Sequence, residues 1–447
     1  MNTTLFDRMA ALVADATGDF AIGRIRAVTG SSITIAGLNR VLRQGDRVAV
    51  VARDATVRAD VVRLSDDMGY ALIDGPAEGI AIGDPVRLLH RARFAPDDSW
   101  MGRVIDPDGK PLDGRALLPG VVEADLQRPP PPAHHRRPLG ERMETGLAVM
   151  NTLLPLVRGQ RIGLFAGSGV GKSSLLADLA RGVRADVVVI ALVGERGREV
   201  RQFTETVLGP EGMRRTIVVA ATSDRAPQVR RRCAWAATAV AEHFRDQGLQ
   251  VLLLVDSVTR YCEAHREIAV VGGEQANLRG YPPSTAGAIA SLCERAGPGV
   301  DTEGPDGSGD ITAVYTVLVA GSDMDEPVAD MLRGVLDGHI VLDRAIAERG
   351  RFPAIDVLRS VSRALPDAAD RVENAMIGEA RRRFSAYDQA AMMIQAGLYE
   401  SGSDPQIDAA IACRDPLEQF LTIKDRRNIA GHFAALKQAL SHATQGR

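Results

Sequence analysis

The sequence is poor in cysteine, in net charge and in long apolar runs. Its formal net charge of −3 gives no electrostatic reason to expect nucleic acid or an anionic membrane as the main partner. No uncharged apolar run reaches about 18 residues, so we expect no transmembrane segment. The cysteines are widely spaced and form no Cys-x-x-Cys pair, which argues against disulfides and a zinc site and favours reduced thiols in a cytosol. These are Cys233, Cys262, Cys293 and Cys413.

Residues 1–19 lack the pattern of a secretory signal peptide, because Asp7 and Asp15 interrupt them and no long apolar core follows a basic start. They contain instead the apolar face of one short helix. Its members are Leu5, Met9, Leu12 and Val13. We expect this helix either to pack onto its own domain or to dock a partner protein.

The 447-residue chain is long enough for two or three domains. Short alternating segments separated by glycine predict a small β-barrel at residues 20–92. Apolar segments that alternate with helical patterns predict an α/β domain with a parallel sheet at 93–365. Residues 366–447 read as helical throughout. The predicted barrel strands are 22–28, 32–38, 47–51, 57–64 and 70–72, and the predicted C-terminal helices are 371–384, 387–396, 405–413 and 416–423, with Asp404 and Asp415 as N-caps of the last two.

A phosphate-binding loop lies between a predicted strand and a predicted helix. Glycines allow backbone N–H groups to surround phosphate oxygens, and the helix N-terminus favours negative charge. Lys172 would reach the β- and γ-phosphates of a nucleotide, and the Ser173 hydroxyl would ligate Mg²⁺. The predicted nucleotide contacts are Ala166, Gly167, Ser168, Gly169, Val170, Gly171, Lys172, Ser173 and Ser174.

Two further apolar strands end in residues that suit phosphate chemistry. Residues 251–255 lead into Asp256, whose carboxylate would hold Mg²⁺. Residues 187–193 lead into Glu195, which would orient and polarise an attacking water. Positive charge near the phosphates would come from Arg196, Arg260 or Arg363, each of which could equally form a structural ion pair. The arginine runs 230–232 and 381–383 favour solvated or inter-subunit helix faces.

Several longer strings together resemble the rotary-type ATPases of the F/V superfamily and, among them, the ATPases of flagellar and type III protein export. They occupy residues 194–200, 256–261, 280–284, 337–342 and 353–363. The resemblance implies a RecA-like P-loop NTPase core between an N-terminal β-barrel and a C-terminal helical domain. It also implies Mg²⁺-dependent hydrolysis of ATP.

The resemblance assigns roles by position in this sequence. Glu195 matches the catalytic glutamate, Arg196 a γ-phosphate contact, and Arg260 a residue that lines the site. Arg363 matches the arginine finger that one subunit lends to its neighbour, which implies a homo-oligomer, usually a hexamer. Phe352 matches an aromatic contact to adenine. Phe420 matches a second adenine contact, but a core phenylalanine of the helical domain is an equally good interpretation.

The implied function is ATP hydrolysis that energises flagellar protein export, by releasing chaperones from export substrates and loading those substrates. The implied partners are a stalk-like regulatory subunit at the N-terminus, a central stalk protein, the export gate and chaperone–substrate complexes. The chain would be cytoplasmic and would reach the inner membrane peripherally, through these partners.

Three alternatives remain open. A virulence-type (injectisome) secretion ATPase would use the same chemistry, and the catalytic subunit of an ion-translocating ATP synthase is a more distant possibility. A hexameric RNA-translocating helicase would need a basic, aromatic-rich platform. The predicted barrel contains only Phe20 and Tyr70 as aromatic residues up to position 90, which disfavours that class.

Overall fold

The computed structural model describes residues 21–53, 55–89, 94–277, 279–300, 307–319 and 324–441. The predicted fold is confirmed: a barrel comes first, an α/β core follows, and the C-terminal region is helical. The helix predicted within residues 1–19 lies outside the described residues. Within the described ranges, no helix combines the length and the apolarity needed to cross a membrane.

The N-terminal barrel closes from six strands, in the order β1-β2-β5-β4-β3-β6. Five of them were predicted from alternating apolar residues, and β6 was missed. β6 pairs antiparallel with both β1 and β3, so it is the strand that closes the barrel. The strands are β1 (Ile22–Thr29), β2 (Ser32–Ala36), β3 (Arg47–Val51), β4 (Thr56–Leu64), β5 (Gly69–Ile73) and β6 (Pro85–Leu89).

The core contains an eight-stranded sheet in the order β14-β13-β8-β12-β11-β9-β10-β7. All of its pairings are parallel except that of β13 with the edge strand β14, which is antiparallel. The strands are β7 (Val104–Ile105), β8 (Arg161–Ala166), β9 (Val187–Glu195), β10 (Thr216–Thr222), β11 (Val251–Asp256), β12 (Ile311–Leu318), β13 (Gly338–Leu342) and β14 (Ile355–Ser362). Alternate side chains enter two separate apolar cores, which is why the central strands are apolar at almost every position.

Nine helices of the described residues accompany this sheet. The longest, α5, packs on β9 and β10, and a π-helical segment, Phe203–Leu208, continues α3. The helices are α1 (Ala148–Asn151), α2 (Lys172–Gly182), α3 (Gly197–Gln202), α4 (Gly209–Met213), α5 (Pro227–Arg245), α6 (Val258–Val271), α7 (Ser284–Glu294), α8 (Pro327–Val335) and α9 (Arg344–Glu348). Short 3₁₀ turns occur at Asp98–Trp100 and Ala133–His135.

The C-terminal region has three helices, α10 (Arg371–Gln395), α11 (Pro405–Leu421) and α12 (Ile429–Ser441). The four predicted segments are therefore two continuous helices, and α12 was missed. Asp404 is an N-cap as predicted, since its side chain accepts hydrogen bonds from two backbone N–H groups. The N-cap predicted at Asp415 is wrong, because Pro416 lies inside α11. Burial of Leu417 and Leu421 on the following turn offsets the hydrogen bond lost at that proline.

Candidate active site

The phosphate-binding loop joins the end of β8 to the start of α2. Gly169 and Gly171 have φ angles of 77° and 91°, in the left-handed region that favours glycine. A Cβ on Gly171 would also lie 3.2 Å from the Phe352 ring. The Val170 side chain is buried in the core, whereas Ser173 is exposed at the first turn of α2. The loop therefore presents its backbone and the N-terminus of an eleven-residue helix to an incoming anion.

Lys172 lies where the ends of β8, β9 and β11 meet. Its Nζ forms an ion pair with Asp256 Oδ1 and lies 3.8 Å from Glu195 Oε1. Asp256 is only 4% exposed, and the Thr316 hydroxyl donates a 2.7 Å hydrogen bond to its Oδ1. Thr316 was missed in the sequence, where the only signal was a hydroxyl residue inside the apolar run of β12.

The Glu195 carboxyl has an unusual proton affinity. Burial raises its pKa most, and the neighbouring Asp256 carboxylate raises it further. The ammonium of Lys172 opposes both effects, and the result is a Glu195 pKa of about 7. A carboxyl with this pKa can accept or release a proton near neutral pH, which suits a general base.

The three candidate arginines occupy different places. Arg260 lies beside Glu195: a Cβ on Gly194 would come within 2.9 Å of its Cδ, and its buried Nε has no hydrogen-bond partner within the described part of the chain. Arg196 is the N-cap residue of α3; its side chain is exposed and forms a 3.2 Å ion pair with Glu199. The structure therefore brings Arg260 to the carboxylates and leaves the Arg196 guanidinium largely in solvent.

Arg363 lies at the opposite end of the sheet from the phosphate loop of its own chain. Leu342 pairs with Ala166 at the loop end, and from there β14 runs antiparallel to Ser362 at the far end. At about 3.3 Å per residue, the length of β14 exceeds 20 Å. The Arg363 guanidinium is exposed beside this edge strand and donates a 3.2 Å hydrogen bond to the carbonyl of Arg333.

The two residues predicted to contact adenine differ in their exposure to solvent. Phe352 is 44% exposed and lies against the phosphate loop at Gly171. Phe420 is 2% exposed and belongs to the apolar core that α11 shares with the sheet. The burial of this ring favours the packing interpretation of Phe420, and the adenine contact stays a prediction.

Magnesium fits the residues at this site. Across the described ranges, no group of three or more His, Cys, Asp or Glu side chains could hold a metal ion. Mg²⁺ differs from most protein-bound metals, because it keeps several waters and takes one or two protein ligands besides phosphate oxygens. Ser173 follows Lys172 in the chain, and Asp256 forms an ion pair with Lys172. The exposed Ser173 hydroxyl and the Asp256 carboxylate therefore match that requirement.

Two family models match consecutive parts of the chain. The "ATP synthase alpha/beta family, nucleotide-binding domain" matches residues 146–362, and the "T3SS EscN ATPase C-terminal domain" matches residues 369–440. The first span contains the phosphate loop and both carboxylates of the site, and the second covers the C-terminal helices.

Curated relatives cover most of the chain. The flagellum-specific ATP synthase of Caulobacter vibrioides is 45% identical over 405 residues, which are 90% of this chain and 91% of the relative. The type 3 secretion system ATPase of Xanthomonas euvesicatoria is 40% identical over 90% of this chain and 89% of its own length.

Solved structures agree with these relatives. The assembled ATPase EscN of the type III secretion system of enteropathogenic E. coli superposes with a TM-score of 0.85 at 34% identity, covering 94% of this chain and 100% of EscN. EscN in complex with its central stalk EscO gives a TM-score of 0.82 at the same identity and coverage.

Proposed function

The chain belongs to the family of flagellum-specific and type III secretion ATPases, and from that membership we propose that it hydrolyses ATP to energise flagellar protein export. It would release chaperones from export substrates and load those substrates at the export gate. The observation that carries the ATPase chemistry is the meeting of Lys172, Asp256 and Glu195 at the ends of three neighbouring strands. The flagellar assignment rests on the relatives, of which the flagellum-specific ATP synthase from C. vibrioides is 45% identical.

Each residue of the site has a distinct task in this proposal. Backbone N–H groups of residues 166–174 bind the phosphates, and Lys172 moves from Asp256 onto the β- and γ-phosphate oxygens. Ser173 and Asp256 would hold Mg²⁺, which would supply positive charge to the phosphates. Glu195 orients the attacking water and takes its proton, which its pKa near 7 permits. Arg260 and Arg196 stabilise the charge that develops on the γ-phosphate.

The site is completed by a second copy of the chain. Arg363 lies more than about 20 Å from its own phosphate loop along β14, which favours a role in a neighbouring site over one in its own. It is exposed at the edge of the sheet, where a neighbouring subunit can approach. A homohexameric ring of this chain would place each Arg363 in the next subunit's site. The assembled form of EscN supports such a ring, since EscN covers 94% of this chain.

Further partners follow from the relatives rather than from the site. The complex of EscN with EscO supports a central stalk protein as a partner. A stalk-like regulatory subunit would dock at the N-terminal residues 1–19. The ATPase would work in the cytoplasm and associate with the inner membrane peripherally, through the export apparatus.

The C-terminal domain match to an EscN model favours protein export over an ion-translocating ATP synthase. Ring composition tests this choice, because an ATP synthase catalytic subunit would copurify with a distinct non-catalytic subunit. The injectisome ATPase is the close alternative, supported by the 40% identity to the X. euvesicatoria protein.

The deciding experiment compares motility and secretion in a strain that carries Lys172→Ala on the chromosome. Loss of swimming and of flagellin secretion, with the variant present at normal abundance, is the expected result. Normal motility together with lost virulence-protein secretion would transfer the assignment to an injectisome. Normal motility and normal secretion would contradict the export function altogether.

A further inference from the structure

A large polar cavity lies between the barrel and the α/β core. Its volume is about 1250 Å³, and no residue of the phosphate loop lines it. Its walls come from β3 and β4 of the barrel, from α5, α6 and α7 of the core, and from residues 123–128. Pockets that bind small molecules are commonly smaller than this, so the cavity is large enough for an organic ligand.

Along one wall of the cavity, the arginines already form ion pairs with aspartates of the protein. Arg232 of α5 forms ion pairs with Asp60 and with Asp108, the latter at 3.2 Å. Arg47 of β3 also pairs with both aspartates, at 3.6 Å and 2.5 Å. Arg232 is buried, so at this position the helix face predicted to be solvated or inter-subunit instead packs between the barrel and the core. Arg58 pairs with Asp108 at 3.4 Å as well, so both aspartates are already occupied by arginines of the protein.

Arg231, the preceding residue of α5, forms no such ion pair. Its guanidinium lies 4.7 Å above the Trp235 ring and contacts His265 Nδ1 at 3.3 Å; it forms no ion pair among the described residues, although the Asp60 carboxylate acts on it from further away. His265 Nε2 bonds to Ser284 Oγ at 2.8 Å, so Nδ1 accepts from Arg231 and the imidazole is neutral. The buried Nε of Arg231 has no hydrogen-bond partner.

A second arginine of this kind comes from the barrel. Arg63 of β4 lies with its Cζ 3.9 Å from the Tyr70 ring centroid, without an ion pair in the described part of the chain, and its Nε is buried and unbonded. Gln228 adds an unused acceptor: its Nε2 donates to Leu72 O at 3.0 Å, while its Oε1 is buried without a donor. Buried polar atoms are rarely left unpaired, because each costs free energy.

We propose that this cavity binds a small, hydroxyl-bearing organic anion with two phosphate or carboxylate groups. One anionic group would pair with Arg231 and the other with Arg63, and a ligand hydroxyl would donate to Gln228. Arg231 lies beside His265, and Arg63 lies beside Gly273, where an added Cβ would be 3.4 Å from its Nη1. Those two positions, on α6 and just after it, are about 12 Å apart along the helix axis, so we expect two anionic groups rather than one.

Such a ligand would connect the barrel to the helix that leads to the active site. Arg63 belongs to the barrel, and α6 begins after Asp256 and carries Arg260 in its first turn. The cavity site is separate from the nucleotide site, so it can be tested without reference to ATP hydrolysis.

The test is isothermal titration of the full chain with fructose 1,6-bisphosphate, in a Lys172→Ala background that weakens phosphate binding at the loop. Saturable binding of one ligand per chain is expected, with a change in Trp235 emission. Arg231→Gln and Arg63→Gln should each weaken this binding about tenfold or more, because each removes a charge-assisted hydrogen bond. Citrate in a parallel titration distinguishes carboxylate from phosphate as the preferred group, and uncharged fructose should not bind.

Arg128→Gln is the matched control, since Arg128 lines the same cavity but pairs with Asp246 at 2.5 Å. It should change the affinity by less than about twofold. The proposal is overturned if neither anion binds saturably at millimolar concentration, or if Arg128→Gln weakens binding as much as the other two variants. Because Arg231 and Arg63 come from different domains, misfolding of one variant leaves the other to decide. ATP hydrolysis by Arg231→Gln with Lys172 intact should persist, which separates this site from the proposed function.

Discussion

Lys172 Nζ lies 3.8 Å from Glu195 Oε1 while it forms an ion pair with Asp256, so one ammonium is shared by two carboxyl groups. The two carboxyl groups surround the Lys172 ammonium where the phosphate oxygens of a nucleotide would bind. Nucleotide binding must therefore exchange one set of oxygens for another around Lys172. The exchange removes an opposing cation from Glu195, whose protonation is already finely balanced by burial and by Asp256.

The first prediction concerns Glu195→Gln. The variant should bind ATP with nearly unchanged affinity, because the amide keeps the shape of the side chain. Its kcat should fall about 100-fold or more, because an amide cannot accept the proton of the attacking water. Single-turnover hydrolysis and nucleotide titration measure the two quantities separately. Glu205→Gln is the control: Glu205 is exposed and pairs with Arg201 rather than with a residue of the site, so this variant should retain most of the turnover. Hydrolysis by Glu195→Gln at near wild-type rate would refute the assigned role.

The second prediction is the pH dependence of kcat/KM, which reports ionisation in the free enzyme. The pKa of Glu195 is raised to about 7, so its carboxylate form is lost as the pH falls through 7. We expect kcat/KM to decrease on the acid side with a midpoint near that value. ATP also ionises in this range. The affinity for a non-hydrolysable analogue is therefore measured at each pH, and kcat/KM is corrected for the change in that affinity. An acid midpoint near the ordinary glutamate value of 4.5 would contradict the prediction.

The raised pKa of Glu195 also predicts how stability depends on pH. The dependence has the opposite direction from that of most carboxylates, whose pKa values are lowered by folding. Between pH 4.5 and about 7 the folded chain keeps a proton on Glu195 that the unfolded chain releases. Wild-type stability should therefore decline, relative to Glu195→Gln, as the pH rises through this window. The Tm difference between the two proteins at pH 5 and pH 8 measures the effect. A difference that favours the wild type more strongly at pH 8 would show that the carboxyl is not raised in the folded state.

The fourth prediction separates Phe352 from Phe420. Phe352→Ala should weaken ATP binding about tenfold, the size expected for the loss of one stacked base, with little change in Tm. Phe420→Ala should lower the free energy of unfolding by about 3–5 kcal/mol, because it removes a ring from the shared core. At a temperature where it remains folded, Phe420→Ala should bind ATP almost normally. Weakened ATP binding in a fully folded Phe420→Ala protein would support the adenine contact at Phe420.

Local signals explain what the sequence could predict. The phosphate loop, Glu195 and Asp256 each follow a buried strand within a few residues, and parallel strands bring their ends together. Thr316 and the cavity arginines carry no such signal, because their partners are distant in sequence. Arg231 and Arg63, for example, line one cavity only because the barrel packs on α6.

The helical region shows the limit of local rules in another way. Asp415 followed by Pro416 is a good N-cap signal, and the same pattern at Asp404 and Pro405 is a real helix start. The two differ in tertiary context, since Cys413, Leu417 and Phe420 are all buried in one core and keep α11 continuous. The burial of apolar side chains outweighs a single missing hydrogen bond, and a local motif does not contain that information.

The last prediction tests whether Arg363 acts in the neighbouring subunit. Arg363→Ala and Lys172→Ala proteins should each be inactive in homogeneous rings. In a randomly mixed ring, a site is intact when an Arg363→Ala chain supplies the loop and a Lys172→Ala neighbour supplies the arginine, which happens at about a quarter of the sites. Steady-state hydrolysis should recover accordingly when the two proteins are reassembled together. Differently tagged chains, copurified through both tags, establish that mixed rings have formed. If those rings hydrolyse no ATP, Arg363 does not serve a neighbour's site; an Arg363→Ala protein that is active by itself would remove it from the chemistry.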